Sequence, residues 1–82
     1  MNLECLCIIC QKAKELEVEL GKPMTRIREN GEFHTSMLRY KKGNYKVLFF
    51  INERRVKNCN RGIYPNREVA LRDFLQHLGI SI

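Results

Sequence analysis

Apolar residues near the start of the chain recur at the three- and four-residue spacing of an amphipathic helix. Within positions 2–20 they are Leu6, Ile9, Ala13, Leu16 and Leu20. This spacing places them on one side of a helix. Gly21 is typical of a helix C-terminus and Pro23 does not continue a helix, so the pattern predicts a helix that ends near position 21.

The next part of the chain alternates strand-like segments with turn signals. Residues 24–29 and 32–40 flank the pair Asn30-Gly31, which is a strong short-range signal for a hairpin. These two segments are therefore predicted to be antiparallel neighbours.

The clearest strand covers residues 44–51 (NYKVLFFI), which follow a lysine–glycine turn. Its β-branched and aromatic residues favour an extended conformation. Asn52-Glu53 then separates it from a weaker strand over 54–59. Together with the hairpin before it, this order predicts an antiparallel meander of three or four strands.

The last segment again has the spacing of a helix. Asn66 follows Pro65 and can cap the N-terminus, while Gly79 can end the helix. The apolar side consists of Val69, Leu71, Phe74, Leu75 and Leu78, with Ala70 beside them. Such a side packs against another element.

These elements predict one α+β domain over residues 1–82, since a chain of this length holds a single small core. The N-terminal helix lies in 1–22, the antiparallel sheet in 23–61 and the C-terminal helix, packed on the sheet, in 62–82.

The strand over 44–51 is apolar on both sides. Val47 and Phe49 lie on one side, and Leu48 and Phe50 lie on the other. A strand of this kind is usually covered on both faces. In one interpretation the N-terminal helix covers the second face; in another, Leu48 and Phe50 remain exposed and bind a protein partner.

Basic charge is concentrated in one part of the chain. The 82 residues include 15 Lys and Arg against 9 Asp and Glu, which gives a net charge of +6. Residues 39–61 contain eight basic side chains and a single acidic one: Arg39, Lys41, Lys42, Lys46, Arg54, Arg55, Lys57 and Arg61, against Glu53. These eight are the predicted nucleic-acid-binding residues, because a local cationic stripe favours phosphate backbones. A solvated surface or an acidic protein partner is the alternative.

The end of this pattern resembles the three-stranded-sheet-plus-helix DNA-binding domain of plant ethylene-response factors, which is related to modules in phage and transposon integrases and in homing endonucleases. The residues that fit the intervals of that family are Gly62, Tyr64, Glu68, Ala70, Arg72 and Phe74, with Gly43 and Tyr45 upstream. The resemblance spans about positions 34–78. It implies binding of duplex DNA by polar and aromatic side chains on the sheet face that the helix leaves free. The segment between Arg55 and Gly62 is longer than is usual in the family, which predicts a bulge in the last strand.

The order helix, sheet, helix also resembles the double-stranded-RNA-binding domain. In that family a dense lysine cluster opens the last helix, whereas only Arg67 occupies this place here. Duplex DNA is therefore favoured over RNA as the partner.

The four cysteines raise the question of a metal site. Cys7 and Cys10 have the two-residue gap of a zinc knuckle, and Cys5 and Cys59 could complete four thiolates. Because there is only one such pair, and it lies in a predicted helix beside isoleucines, buried structural thiols are the favoured interpretation. No metal or other cofactor is expected.

No catalytic arrangement is recognisable. His34 and His77 are the only histidines, and no pattern places either beside a nucleophile or metal ligands. His77 falls in the last turn of the final helix, where an imidazole can interact with free carbonyls. We expect structural roles for both and a protein that is not an enzyme.

The remaining expectations concern location and partners. The chain has neither a run of about 18 apolar residues nor the features of a signal peptide, which predicts a cytoplasmic protein that does not enter a membrane. The first hypothesis is a small domain that binds duplex DNA. The second is an inhibitor of the phage or mobile-element type that docks on a host nucleic-acid-processing protein. The third is a homodimer paired through the N-terminal helix.

Overall fold

Two helices and five strands form the fold in the computed structural model, which describes residues 7–57 and 63–81. In chain order they are α1 (Ile8–Glu15), β1 (Met24–Ile27), β2 (Phe33–Lys41), β3 (Asn44–Ile51), β4 (Arg54–Val56), β5 (Ile63–Tyr64) and α2 (Arg67–His77). The strands form one antiparallel sheet in the order β1-β2-β3-β4, and α2 packs on β2 and β3. The predicted α+β fold is confirmed.

Two-residue turns connect β2 to β3 and β3 to β4. Lys42 and Gly43 have φ values of 50° and 83°, and Asn52 and Glu53 have values of 50° and 70°. Positive φ at both central residues is the type I′ geometry, whose twist matches that of the flanking strands. The turn at Asn52 is further held because its side-chain Oδ1 accepts a hydrogen bond from the backbone N–H of Phe33 at 2.9 Å.

Two short strands, β4 and β5, form one edge of the sheet, and each pairs with a different part of β3. Phe49 pairs with Val56, whereas Tyr45, four residues earlier in β3, pairs with Tyr64, eight residues later than Val56. Between these two pairs, the segment from Val56 to Tyr64 is therefore four residues longer than the facing segment of β3. The bulge predicted between Arg55 and Gly62 and the predicted strand residues 58 and 59 fall on a segment of which residues 58–62 lie outside the described residues.

The helix α1 ends about five residues earlier than predicted. Glu17 adopts a left-handed conformation with φ 56°, and the N–H of Val18 donates to the carbonyl of Ala13 at 2.9 Å. The N–H of Glu17 donates to the carbonyl of Lys14 at 3.1 Å, which completes a Schellman motif. The chain then turns so that Val18 packs against the core and Leu20 bridges to Leu38 of β2.

Both helices lie on the same side of the sheet. Among the described elements α1 packs on α2, and the buried Ile9 and Ala13 of α1 join one core with Leu38 of β2 and Val47 of β3. The interpretation in which α1 covers the second face is therefore wrong. Ile9 and Ala13 belong to the spacing that suggested a homodimer, and here they are buried within the chain itself.

The helix α2 has the predicted ends. Asn66 caps it, since its Oδ1 accepts from the N–H groups of Glu68 at 2.8 Å and Val69 at 3.4 Å. Gly79, with φ 72°, ends it in a second Schellman motif. Neither α1 nor α2 is long and apolar enough to cross a membrane.

Candidate nucleic-acid interface

One face of the sheet has no described helix packed on it, and we call it the free face. Cross-strand partners point to the same side of a sheet and neighbours along a strand alternate, so the pairing register assigns each residue to a face. Val47 marks the helix-covered side. The free face carries Thr25, Ile27, Phe33, Thr35, Met37, Arg39, Lys41, Asn44, Lys46, Leu48, Phe50, Arg55 and Ile63.

An apolar band crosses the free face. Ile27 pairs with Phe33 at the β1 edge, and Met37 pairs with Leu48 near the centre. Leu48 is only 7% exposed, so the sequence-based hypothesis that it is an exposed partner-binding residue is wrong, and Phe50 is half-buried. The exposed large apolar residues of the free face are instead Ile27 at 64%, Phe33 at 49% and Ile63 at 45%.

Sequence reasoning did not single out these three exposed residues. In β1, Thr25 and Ile27 lie on the free face, and Met24 and Arg26 lie on the helix-covered side. Each face thus has one apolar and one polar residue, so the period of the strand does not indicate which face is apolar.

The first basic group lies at the β2–β3 hairpin. Arg39 and Lys46 are directly paired across the strands, and Lys41 precedes the turn residue Lys42. Three of the four are exposed and Lys46 is half-buried. The strand pairing therefore brings Arg39, Lys41 and Lys42 close to Lys46, which follows the turn in the sequence.

The second basic group lies at the opposite end of β3. Arg55 pairs with Phe50 on the free face, whereas Arg54 pairs with Ile51 on the helix-covered side, and Lys57 follows β4. The seven steps of β3 separate the two turns by about 23 Å, at about 3.3 Å per residue. The seven described basic residues thus form two groups and not one patch, and Arg61 lies outside the described residues.

None of these seven cations takes part in an ion pair within residues 7–57 and 63–81. Lys12 pairs with Glu15, and carboxylate oxygens of Glu32 and Asp73 lie 3.4 Å and 3.0 Å from ring nitrogens of His34 and His77. The positive charge of the two groups is therefore not neutralised by neighbouring carboxylates in this part of the chain.

The two histidines pack around Phe49 on the helix-covered side. The His77 ring stacks on Phe49 with centroids 4.1 Å apart, and the His34 ring meets Phe49 edge-on at 5.5 Å. His34 Nδ1 is 3.3 Å from the carbonyl oxygen of His77. Thus His34, and not His77 as expected, approaches a free carbonyl of the last turn. His77 Nε2 lies 3.0 Å from Asp73 Oδ1, but it is not aligned for a hydrogen bond.

Two of the four cysteines are described, and no disulfide joins them to each other. Cys7 precedes α1 and Cys10 lies in its first turn, and both are half-buried. The other two candidates for a zinc site, Cys5 and Cys59, lie outside the described residues. Among the described residues, a carboxylate oxygen of Glu68 lies within 4.8 Å of the Sγ atoms of both Cys7 and Cys10.

We compared the chain with known proteins at the level of family, sequence and structure. No protein-family model, curated protein or solved structure matches this chain.

Proposed function

We propose that this protein is a small DNA-binding domain that applies the free face and its two basic turns to duplex DNA. One observation carries the proposal: α1 and α2 lie on the same side of the sheet, so no described helix covers Arg39, Lys46 and Arg55 on the other side. The resemblance to the ethylene-response-factor domain supports the same face, because that family binds DNA through the sheet surface opposite its helix.

The dimensions of the free face suit a groove of duplex DNA. Three of the four strand positions, β2, β3 and the one shared by β4 and β5, span about 10 Å at about 4.8 Å spacing, and the major groove is about 12 Å wide. These three strands can lie in the groove with Arg39 and Lys46 towards the base edges. Arginine and lysine there can donate to the acceptors of guanine.

The two basic turns would then contact phosphates. Because the turn at Lys42 and the turn at Arg54 lie at opposite ends of β3, they can reach two separate rows of phosphates. Each phosphate neutralised by lysine or arginine releases a condensed counterion, so the affinity depends on salt. Thr25 and Thr35, whose Oγ1 atoms lie 2.8 Å apart, add polar groups to the same face.

Fluorescence anisotropy with labelled duplex DNA, duplex RNA and single strands tests this proposal. We expect salt-sensitive binding that prefers duplex DNA. The double variants Lys41→Ala/Lys42→Ala and Arg54→Ala/Arg55→Ala should each lower the slope of log affinity against log salt by about two. Lys46→Glu, which places a carboxylate on the free face, should weaken binding further.

The matched control is Lys12→Ala/Lys14→Ala, which removes the same charge from α1 on the other side of the molecule. It should leave the salt slope nearly unchanged. Equal losses in all three double variants would show that net charge, and not the free face, governs binding. A loss on Arg67→Ala together with a preference for duplex RNA would favour the double-stranded-RNA-binding resemblance. No binding at low salt would contradict the proposal.

The second candidate is a protein-binding inhibitor that docks on a nucleic-acid-processing protein. The observation that favours it is the exposure of Ile27 and Phe33, neighbours at one edge of the free face. Association through these side chains would be insensitive to salt and would be lost in Phe33→Glu while the fold is kept. Binding that is steep in salt and survives Phe33→Glu excludes this candidate.

A further inference from the structure

Three potential metal ligands from the two helices meet on the helix-covered side of the molecule. The Sγ atoms of Cys7 and Cys10 and a carboxylate oxygen of Glu68 all lie within 4.8 Å of one another. Cys7 and Cys10 come from the start of α1, and Glu68 comes from the first turn of α2. The sequence separates these groups by almost sixty positions, so the fold alone brings them together.

The local structure orients the two thiols towards one point. Cys7 is the N-cap of α1, and its Sγ accepts a hydrogen bond from the backbone N–H of Cys10 at 3.4 Å. A two-residue gap at a helix N-terminus therefore places both sulfur atoms on the same side of the first turn. The positive end of the helix dipole favours the thiolate form, which is the form that binds a metal.

We propose that Cys7, Cys10 and Glu68 bind a zinc ion that joins the N-terminal ends of α1 and α2. Two thiolates and a carboxylate are all ligands that zinc accepts. In a tetrahedral site with zinc–sulfur bonds of about 2.3 Å, the two sulfur atoms would lie about 3.8 Å apart. Because the ligand atoms lie within 4.8 Å of one another, the sulfur atoms need to approach by at most about 1 Å, which rotation of side chains at helix ends can supply.

The site is reachable from solvent. A groove of about 760 Å³ opens beside Cys7 and is bounded by Ile9, Arg72 and Gln76. Glu68 is exposed, so a hydrated ion can first meet its carboxylate and then the half-buried thiols. The fourth position of the tetrahedron is left to water or to a further ligand.

Zinc at this position would act on the helix layer and not on the free face. The helix α1 has eight residues, which is too short to be stable alone, and it is held by packing on α2. Because the site requires both helices in place, zinc binding would stabilise the folded chain. This inference is independent of DNA binding.

The experiment is a titration of the reduced full-length protein with Co²⁺ and then with Zn²⁺. Cobalt bound by thiolates gives charge-transfer absorption that zinc displaces, and we expect one equivalent of each. Cys7→Ser and Cys10→Ser should each weaken zinc binding by at least about 100-fold. Glu68→Gln should weaken it by about 10-fold and change the cobalt visible bands. Zinc should raise the melting temperature of the wild-type protein.

Glu15→Gln, which removes an exposed carboxylate from the other end of α1, is the matched control and should bind zinc like the wild type. Glu68 is also exposed, so Glu68→Gln is not expected to unfold the domain and keeps the test decisive. Binding that persists in Cys7→Ser or Cys10→Ser, whether through Cys5 and Cys59 or otherwise, would overturn the proposal. So would a cobalt spectrum that is identical in Glu68→Gln and wild type, or the absence of binding.

Discussion

Asn30 and Glu32 hold each other in the turn between β1 and β2. The Nδ2 of Asn30 donates to Glu32 Oε1 at 2.6 Å, and the backbone N–H of Glu32 donates to Asn30 Oδ1 at 3.0 Å. The side-chain hydrogen bond from Asn30, with a smaller contribution from His34, lowers the pKa of Glu32 below its ordinary value of 4.5. A carboxylate that receives hydrogen bonds is favoured in its charged form.

Replacement of Asn30 by alanine should therefore raise the pKa of Glu32 towards its ordinary value. An NMR titration that follows the side-chain carboxyl carbon of Glu32 measures this directly. Because the pKa is lowered in the fold, the carboxylate contributes stability above its ordinary pKa, and this contribution is lost as the pH falls through the lowered value. Glu29→Gln, a change in the same turn, should leave the titration of Glu32 unchanged. An unchanged pKa of Glu32 in Asn30→Ala would refute the assigned cause.

The two helices end in the same motif with different residues at the position that needs a positive φ. Gly79 occupies it after α2, whereas Glu17 occupies it after α1. A residue with a Cβ is strained in the left-handed region, and glycine is not. The C-terminus of α1 is thus less favourable than its hydrogen bonds alone would suggest.

Glu17→Gly should for this reason stabilise the protein by about 0.5–1 kcal/mol. Glu15→Gly, two residues earlier and inside α1, should destabilise it by about 1 kcal/mol. Chemical denaturation of the two variants beside the wild type gives both values. If Glu17→Gly proved destabilising, the early end of α1 at Glu15 would be in error.

At the scale of the whole molecule, the sheet divides a helix layer from the free face. Ile9 is buried between α1 and the core that it shares with Val47 and α2. Its neighbour Ile8 is 66% exposed. Ile9→Ala should cost about 2 kcal/mol of unfolding free energy, because it leaves a cavity in the core, and Ile8→Ala should cost much less.

Under the proposed function, Ile9→Ala should also leave DNA affinity within about twofold of wild type at a temperature where both proteins are folded, since the altered side chain lies on the opposite layer. Thermal unfolding and anisotropy on the same samples measure the two effects. A large loss of affinity in folded Ile9→Ala would show that the layers are coupled or that the helix layer itself binds DNA.

Local pattern in this chain is sufficient to specify most of the elements. The pairs Asn30-Gly31 and Asn52-Glu53 mark turns between β-prone segments, and Asn66 and Gly79 mark the two ends of α2, because each acts through backbone conformations and hydrogen bonds of nearby residues. The end of α1 was mispredicted because Glu17 has no local preference for the left-handed region. Tertiary packing of Val18 and the bridge from Leu20 to β2 favour that turn instead.

Contacts between residues far apart in the sequence determine which side chains lie together on one surface. The side on which α1 lies, and therefore which face of β3 is free, follows from the burial of Ile9 and Ala13 against α2, which periodicity along the chain does not encode. The same holds for the separation of the basic residues into two groups and for the meeting of Cys7 and Cys10 with Glu68. A sequence lists the charges and ligands, but strand register and helix placement determine which of them come within reach of one partner.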